Sequence, residues 1–205
     1  MVVLDGALAL AATVPALWLR PWRGWGAASP PWPAWALAAA LPLLWSLDRL
    51  AGTPLLQPLS GVGLLVLMLG WPLAVLAVAP VVALMALVSP LTLAEALHRG
   101  VWLGIVPATL LLLFGAALRR WLPPNPFIYT LGRAFFGTAF ALAAAGALAG
   151  WIDGPPPSLA LEDLLLARGL AAFGDAFLTG MMAAIFVAYR PQWLATWADR
   201  LYLRG

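Results

Sequence analysis

Three ionisable side chains fall inside long apolar stretches of this sequence. Asp175 stands near the middle of an apolar run over 164–189, Arg168 lies nearer the start of the same run, and Arg133 lies within a run over 126–152. A charge at the centre of a bilayer costs about 3 kcal/mol on insertion scales unless it is paired or hydrated. The arginines have long stems that can reach an interface, so the simpler interpretation of Arg168 is an anchor. The short Asp175 side chain has no such route, which predicts a polar contact inside a helix bundle.

A ligand contact, or a contact that locks one helix to another, is favoured for Asp175 over a neutral carboxyl that is merely tolerated. Arg133 is its natural ionic partner, although the two differ in depth by roughly 10 Å at 1.5 Å per residue, which strains a direct contact. The polar stretch Gln57-Pro58-Leu59-Ser60 breaks another apolar region. Discontinuous helices and buried charge commonly mark transport sites. We therefore predict ligand binding by Asp175, Gln57, Ser60 and Arg133, with Asp175 facing a cationic or hydrogen-bonding ligand.

Residue sets for catalysis or metal binding are sparse. The single histidine, His98, follows Glu95 at a spacing of three that can share a metal ion on a helix face, but no further ligand is evident. A histidine at the interface is the simpler interpretation. Met181 and Met182 lack the repeated spacing of copper-binding sulfurs, so packing explains them. With no cysteine and no histidine in the apolar runs, we expect no enzyme, no metal site and no cofactor.

The composition indicates that lipid surrounds most of the chain. Of the 205 residues, 64% are hydrophobic and 9% are charged, whereas a soluble domain carries about 25% charged residues. Backbone polar groups must be satisfied within hydrocarbon, and long uninterrupted apolar runs exclude the alternating pattern of a barrel. We predict one all-α integral-membrane domain over 1–205. The basic excess reflects anionic lipid, and no nucleic-acid signature is present.

The spans follow from the apolar runs, which lie at about 4–19, 32–47, 61–88, 101–118, 126–152 and 164–189. A spanning helix needs roughly 20 residues, so the third run is too long. Gly70-Trp71-Pro72 divides it, because tryptophan prefers the interface and glycine with proline favours a helix end. The piece from about Thr53 to Leu69 begins weakly apolar and is predicted to be a broken or partly re-entrant helix. A polytopic bundle of about seven segments results.

The charges orient these segments. With seven, three arginine groups share one face, which the positive-inside rule makes cytoplasmic: Arg20 and Arg23; Arg119 and Arg120; and Arg190, Arg200 and Arg204. The opposite face carries most of the acidic residues: Asp5, Asp48, Glu95, Asp153, Glu162 and Asp163. We predict an outside N-terminus and a cytoplasmic C-terminus. Residues 6–19 are expected to be a retained span, since Asp5 occupies the place of a signal peptide's basic residues.

Short motifs predict helix ends. Thr92 followed by Glu95 fits a capping box that starts a short helix before Arg99. Ser158 is predicted to be the N-cap of the last helix. Arg190-Pro191 ends that helix and leaves an aromatic, basic tail at the inner surface.

Small residues predict close contacts between helices. Ala7 and Ala11 are spaced as small-xxx-small in the first span, and the stretch 143–150 is rich in alanine and glycine. Packing within the protein is the simpler interpretation. A docking face for another membrane subunit is the alternative.

Several stretches together resemble a group of largely uncharacterised bacterial inner-membrane proteins. The stretches are Leu69-Gly70-Trp71-Pro72-Leu73, Leu122-Pro123-Pro124-Asn125-Pro126-Phe127-Ile128-Tyr129, Phe135-Phe136-Gly137, Asp175-Ala176-Phe177, Gly180-Met181 and Tyr189-Arg190-Pro191-Gln192-Trp193. That group is similar to the membrane substrate-binding components of energy-coupling-factor cobalt and nickel importers. The resemblance implies six or seven helices, an outside N-terminus, a transmembrane coupling subunit and cytoplasmic ATPases.

The importers' metal ligands are missing at the matching positions. Their chains begin with methionine and histidine ahead of an Asp-Gly pair, whereas Val2 and Val3 precede Asp5-Gly6 here. A second family histidine precedes a Leu-x-Gly step, and Pro58 precedes the matching Leu59-Ser60-Gly61. Nickel and cobalt favour nitrogen ligands, so metal binding there is not expected. Asp175 stands where the uncharacterised group has a glutamate.

The leading hypothesis is a substrate-binding, permease-like subunit of an energy-coupling-factor ABC transporter in a bacterial inner membrane, with an altered ligand site. The alternative is a non-transporting scaffold or accessory subunit, which fits the missing histidines and the small-residue faces. An intramembrane enzyme ranks third.

Overall fold

The computed structural model describes residues 1–24, 31–52, 57–157 and 159–197. Within those ranges the chain is all-α, with eight helices and no strand. The helices are α1 (Val2–Trp18), α2 (Trp32–Trp45), α3 (Leu47–Ala51), α4 (Val62–Leu69), α5 (Trp71–Val88), α6 (Leu93–Trp121), α7 (Ile128–Asp153) and α8 (Leu161–Tyr189).

Five helical regions are long and apolar enough to cross a membrane. They are α1 with the turn that follows it (Val2–Arg23), α5, α6, α7 and α8, and α2 is a shorter apolar helix. This agrees with the predicted all-helical membrane protein. Hydrocarbon favours helices because a helix satisfies its own backbone hydrogen bonds.

The break between α4 and α5 falls where the sequence predicts it. Gly70 has φ 77° and ψ 161°, a conformation that favours glycine, and Trp71 and Pro72 open the next helix. At the other end of α4, Gly61 has φ 65° and follows the non-helical stretch 57–60. With eight residues, α4 is about 12 Å long, less than half of the hydrocarbon thickness.

The capping box at Thr92 and the α-helix that it starts are confirmed, but this helix is longer than the short one predicted. The Thr92 hydroxyl accepts from the Glu95 amide (3.2 Å) and Glu95 accepts from the Thr92 amide (2.8 Å). The helix then continues to Trp121, because Gly100 is helical and a π-helical segment over Gly100–Ile105 carries the chain onward. His98 therefore lies within a continuous helix.

The C-terminal helix ends as predicted at Tyr189 and is followed by a 3-10 turn, Pro191–Trp193. Its N-cap is Ala160, and the predicted cap Ser158 lies outside the described residues. Beyond the turn, the amides of Ala195 and Thr196 donate to the carbonyls of Met68 and Leu67, both at 3.2 Å. The tail thus satisfies carbonyls at the C-terminus of α4. Arg200, Tyr202 and Arg204 also lie outside the described residues.

The helices place like charges at common ends. The first residues of α1 and α6, α3 and the end of α7 meet around one vestibule, and we name that side the acidic end. The opposite ends of α1, α6 and α8 carry Arg20, Arg23, Arg119, Arg120 and Arg190, and we name that side the arginine end.

Candidate functional site

The Asp175 carboxylate caps the N-terminus of α4 from the neighbouring helix α8. Its Oδ2 accepts from the backbone amides of Ser60 (2.6 Å) and Gly61 (3.0 Å), and its Oδ1 accepts from the Thr179 hydroxyl at 3.5 Å. The first amides of a helix have no partner within that helix, and a negative charge there also interacts favourably with the helix dipole. The side chain is 4% exposed. Asp175 therefore makes the polar contact that its position predicts, and that contact is with backbone.

Ser60 belongs to the same capping cluster. Its hydroxyl donates to the Leu103 carbonyl (2.6 Å) and accepts from the Val62 amide (3.2 Å), while its own carbonyl accepts from the Trp45 indole (2.9 Å). These bonds occupy its polar atoms with structural partners. Ser60 ties the start of α4 to α2 and α6.

Gln57 instead lines a cavity of about 180 Å³ nearer the acidic end, which we name the Arg168 cavity. Its polar walls come from Asp48, Gln57, His98, Arg99 and Arg168, and its apolar walls include Pro58, Trp102, Leu103 and Ala149. The non-helical stretch before α4 leaves room here for side chains from several helices. The arrangement combines an apolar lining with a few convergent polar groups, as binding sites do.

Two walls of the cavity form a paired unit. The Arg99 guanidinium donates to both Asp48 carboxylate oxygens, at 2.6 and 2.7 Å, and to the Trp45 carbonyl. Hydrogen bonding from Arg99 holds the pKa of Asp48 below its usual range. The pair fixes α3 against α6 and contributes little net charge.

The Arg168 side chain packs against α7. Its Nη1 donates to the Gly146 carbonyl at 2.6 Å, and its buried Nε has no hydrogen-bond partner. Gly146 and Gly150 of α7 make room for it, because a Cβ on either glycine would come within 3.3 Å of Arg168 atoms. The small-residue stretch 143–150 thus packs against α8 within the protein.

His98 separates the cavity from a vestibule of about 630 Å³ at the acidic end. Its Nδ1 lies 3.0 Å from Asp5 and its Nε2 lies 3.1 Å from Asp153, and the Trp102 indole also donates to Asp5 at 3.0 Å. His98 and Arg99 line both spaces. One imidazole therefore joins the ends of α1, α6 and α7 across the entrance.

Arg133 lies apart from the other predicted ligand-binding residues. It is 5% exposed, packs against Gly115 of α6 and lines a separate cavity of about 200 Å³ with Arg119 and Tyr129. The structure thus brings Asp175 and Ser60 together, places Gln57 in the adjoining cavity and puts Arg133 in a different one.

Sequence reasoning missed Asp48, Arg99 and Trp102 as cavity residues, although their charges and aromatic rings lie near predicted span ends. No family model matches the chain, and it is similar to no curated protein and to no solved structure. The fold and the cavity therefore define only a class: over the described residues, an all-helical protein with five apolar helices of membrane-spanning length.

Proposed function

We propose that this protein is a substrate-binding, permease-like membrane subunit that holds a small solute in the Arg168 cavity. The observation that carries the proposal is this cavity, which has polar walls, adjoins the broken segment before α4 and lies next to a vestibule at the acidic end. Transport sites commonly use discontinuous helices whose non-helical backbone lines a cavity. Binding without catalysis is proposed because the described residues that line this cavity include no paired nucleophile and base.

The proposed topology has seven passes, an outside N-terminus and a cytoplasmic C-terminus, in a bacterial inner membrane. The third pass would combine the non-helical stretch 57–60 with α4 and would run from the acidic end to the arginine end. The positive-inside rule supports the orientation, since the arginine end carries Arg20, Arg23, Arg119, Arg120 and Arg190. The acidic end, with the Arg168 cavity, would then face outside.

Single cysteines test the orientation in this cysteine-free chain. Trp22 is 55% exposed at the arginine end, and Pro156 is exposed beyond the acidic end of α7. A membrane-impermeant maleimide added to intact cells should label Pro156→Cys. It should label Trp22→Cys only after the membrane has been permeabilised. The reverse pattern would overturn the orientation.

The proposal includes a transmembrane coupling subunit and cytoplasmic ATPases as partners, of the energy-coupling-factor type that the motifs resemble. A tagged full-length chain purified from native membranes in mild detergent should retain an ATPase pair. A control tag on an unrelated membrane protein of similar size identifies carry-over. Recovery of an unrelated complex without ATPases would reject the transporter subunit.

The second candidate is a non-transporting accessory subunit. The observation that favours it is the outward face of α1, where Ala7 and Ala11 are exposed between the apolar side chains of Val3 and Val14. Small residues allow another helix to approach closely. Ala7→Leu together with Ala11→Leu should then release a bound partner without changing solute binding.

A further inference from the structure

The Arg168 guanidinium is a cation that the neighbouring carboxylates do not pair. Among the described residues, the ion pairs at the acidic end join Arg49 with Asp48 and Glu95, Arg99 with Asp48, and His98 with Asp5 and Asp153. Arg168 takes part in none of them. Its described hydrogen bond goes to one carbonyl, and its Nε is buried without a partner.

Asp153 acts on this charge at longer range without forming an ion pair with it, and the cavity walls offer little further compensation. Asp48 and Arg99 offset one another, and the Asp5 and Asp153 carboxylates contact His98 on the vestibule side. The remaining lining near Arg168 is apolar apart from the Gln57 carboxamide. A partly buried charge in such surroundings is unfavourable without a counter-charge, and an anion in the cavity would supply one.

We infer that the Arg168 cavity binds a small organic anion whose carboxylate is held by Arg168, with Gln57 as a hydrogen-bonding neighbour. The inference rests on the solute-binding role proposed above and specifies the chemical class of the solute. The volume of about 180 Å³ is below the roughly 300–1,000 Å³ of sites for drug-sized ligands, so the anion is a small one. A divalent metal ion is disfavoured, because the nearest uncompensated group is a cation.

Gln57 and Arg168 flank the same glycine, which gives a matched pair of variants. A Cβ on Gly146 would lie 3.0 Å from Gln57 Oε1 and 3.3 Å from Arg168 Cβ. Gln57→Glu keeps the size of the side chain while placing a carboxylate beside Arg168. Arg168→Gln removes the cation, Arg168→Lys keeps it, and Arg120→Gln removes an exposed cation at the arginine end as a control.

The test uses the full chain in detergent and follows its thermal unfolding. The probes are the sodium salts of acetate, lactate and succinate, with choline chloride and nickel chloride as cationic probes and sodium chloride at matched ionic strength as the reference. At least one carboxylate should raise the unfolding midpoint of the wild-type protein and of Arg120→Gln in a saturable manner. Arg168→Gln should weaken the apparent affinity about 10- to 100-fold, as expected for the loss of one charged hydrogen-bonding partner. Arg168→Lys should retain part of the response.

Gln57→Glu should lose the response as well, and it keeps the inference testable if Arg168→Gln does not fold. The inference is overturned if no carboxylate shifts the wild-type midpoint beyond sodium chloride, or if both variants respond as the wild type does. A shift produced by choline or nickel alone would reject the anion and leave solute binding intact. Carboxylate binding by a protein that retains no ATPases would reject the transporter subunit and leave the anion site standing.

Discussion

Replacing Asp175 with alanine should destabilise α4 selectively, because this carboxylate caps its N-terminus. The substitution removes the acceptor for the Ser60 and Gly61 amides, which lie 2.6 and 3.0 Å from Oδ2. Each buried donor left without a partner costs about 1–3 kcal/mol. The two together predict a loss of about 2–6 kcal/mol in the free energy of unfolding, with the lower value expected if water enters the space.

Asp175→Asn separates the loss of charge from the loss of the acceptor. The amide oxygen can still accept from both backbone donors, but neutral hydrogen bonds are roughly half as strong as charge-assisted ones. We expect a loss of about 1 kcal/mol. Thr179→Val is the matched control, since its contact with Asp175 is 3.5 Å long and therefore weak, and it should cost less than about 0.5 kcal/mol.

Unfolding in mixed micelles measures the global loss, and amide hydrogen exchange locates it. The amides of Val62 to Leu65 should lose protection in Asp175→Ala while those of α5 keep theirs. Stability of Asp175→Ala within about 0.5 kcal/mol of wild type, with α4 still protected, would refute the capping role. Weaker solute binding with unchanged α4 exchange would instead point to the ligand contact predicted from the sequence.

Three further predictions address other parts of the structure. Gly63→Ala should destabilise the protein by about 1–3 kcal/mol, because its Cβ would lie 2.6 Å from the Thr138 hydroxyl oxygen. Gly6→Ala is the control: its Cβ would meet nothing within 4 Å, so this variant should be neutral or stabilising in the same unfolding assay. Arg99 lowers the pKa of Asp48 in the folded state, so the stabilisation from Asp48 should be present above the ordinary Asp pKa of 3.8 and be lost as the pH falls through the lower folded pKa. The unfolding free energy of Asp48→Asn should therefore vary less with pH over that range. A pH profile identical to that of the wild type would contradict the role of the pair. His98→Ala should join the vestibule to the Arg168 cavity and so speed the maleimide labelling of Ala149→Cys, which lines that cavity. The labelling of Ala145→Cys, at a fully buried position outside the cavity lining, should not change. Equal labelling rates of Ala149→Cys with and without His98 would show that the ring does not separate the two spaces.

The helix pattern was largely predictable because local rules determine it. Apolar runs gave the long helices, the Thr92 and Glu95 pair gave the start of α6, and Gly70-Trp71-Pro72 gave the break before α5. The helix that begins after Thr92 was predicted to be short, whereas a π-helical segment over Gly100–Ile105 continues it to Trp121.

The site was less predictable because its contacts join distant residues. The partners of Asp175 are backbone amides 115 and 114 residues away in sequence, and a backbone donor has no residue-type signature. Arg168 has the sequence context of a snorkelling arginine, and only the glycines of α7 show that it turns inward. The paired unit of Asp48 and Arg99 likewise requires α3 to lie against α6.

The sequence by itself determined that the chain is helical and apolar enough for lipid, that a break separates α4 from α5, and that Asp175 needs a polar partner. Those properties depend on hydropathy and on local backbone preferences, which act within a few residues. The tertiary structure alone decided that Asp175 caps a half-length helix, that Arg168 faces a cavity, and that His98 lies between this cavity and the vestibule. Each depends on the distance between side chains from different helices, which composition and spacing do not specify.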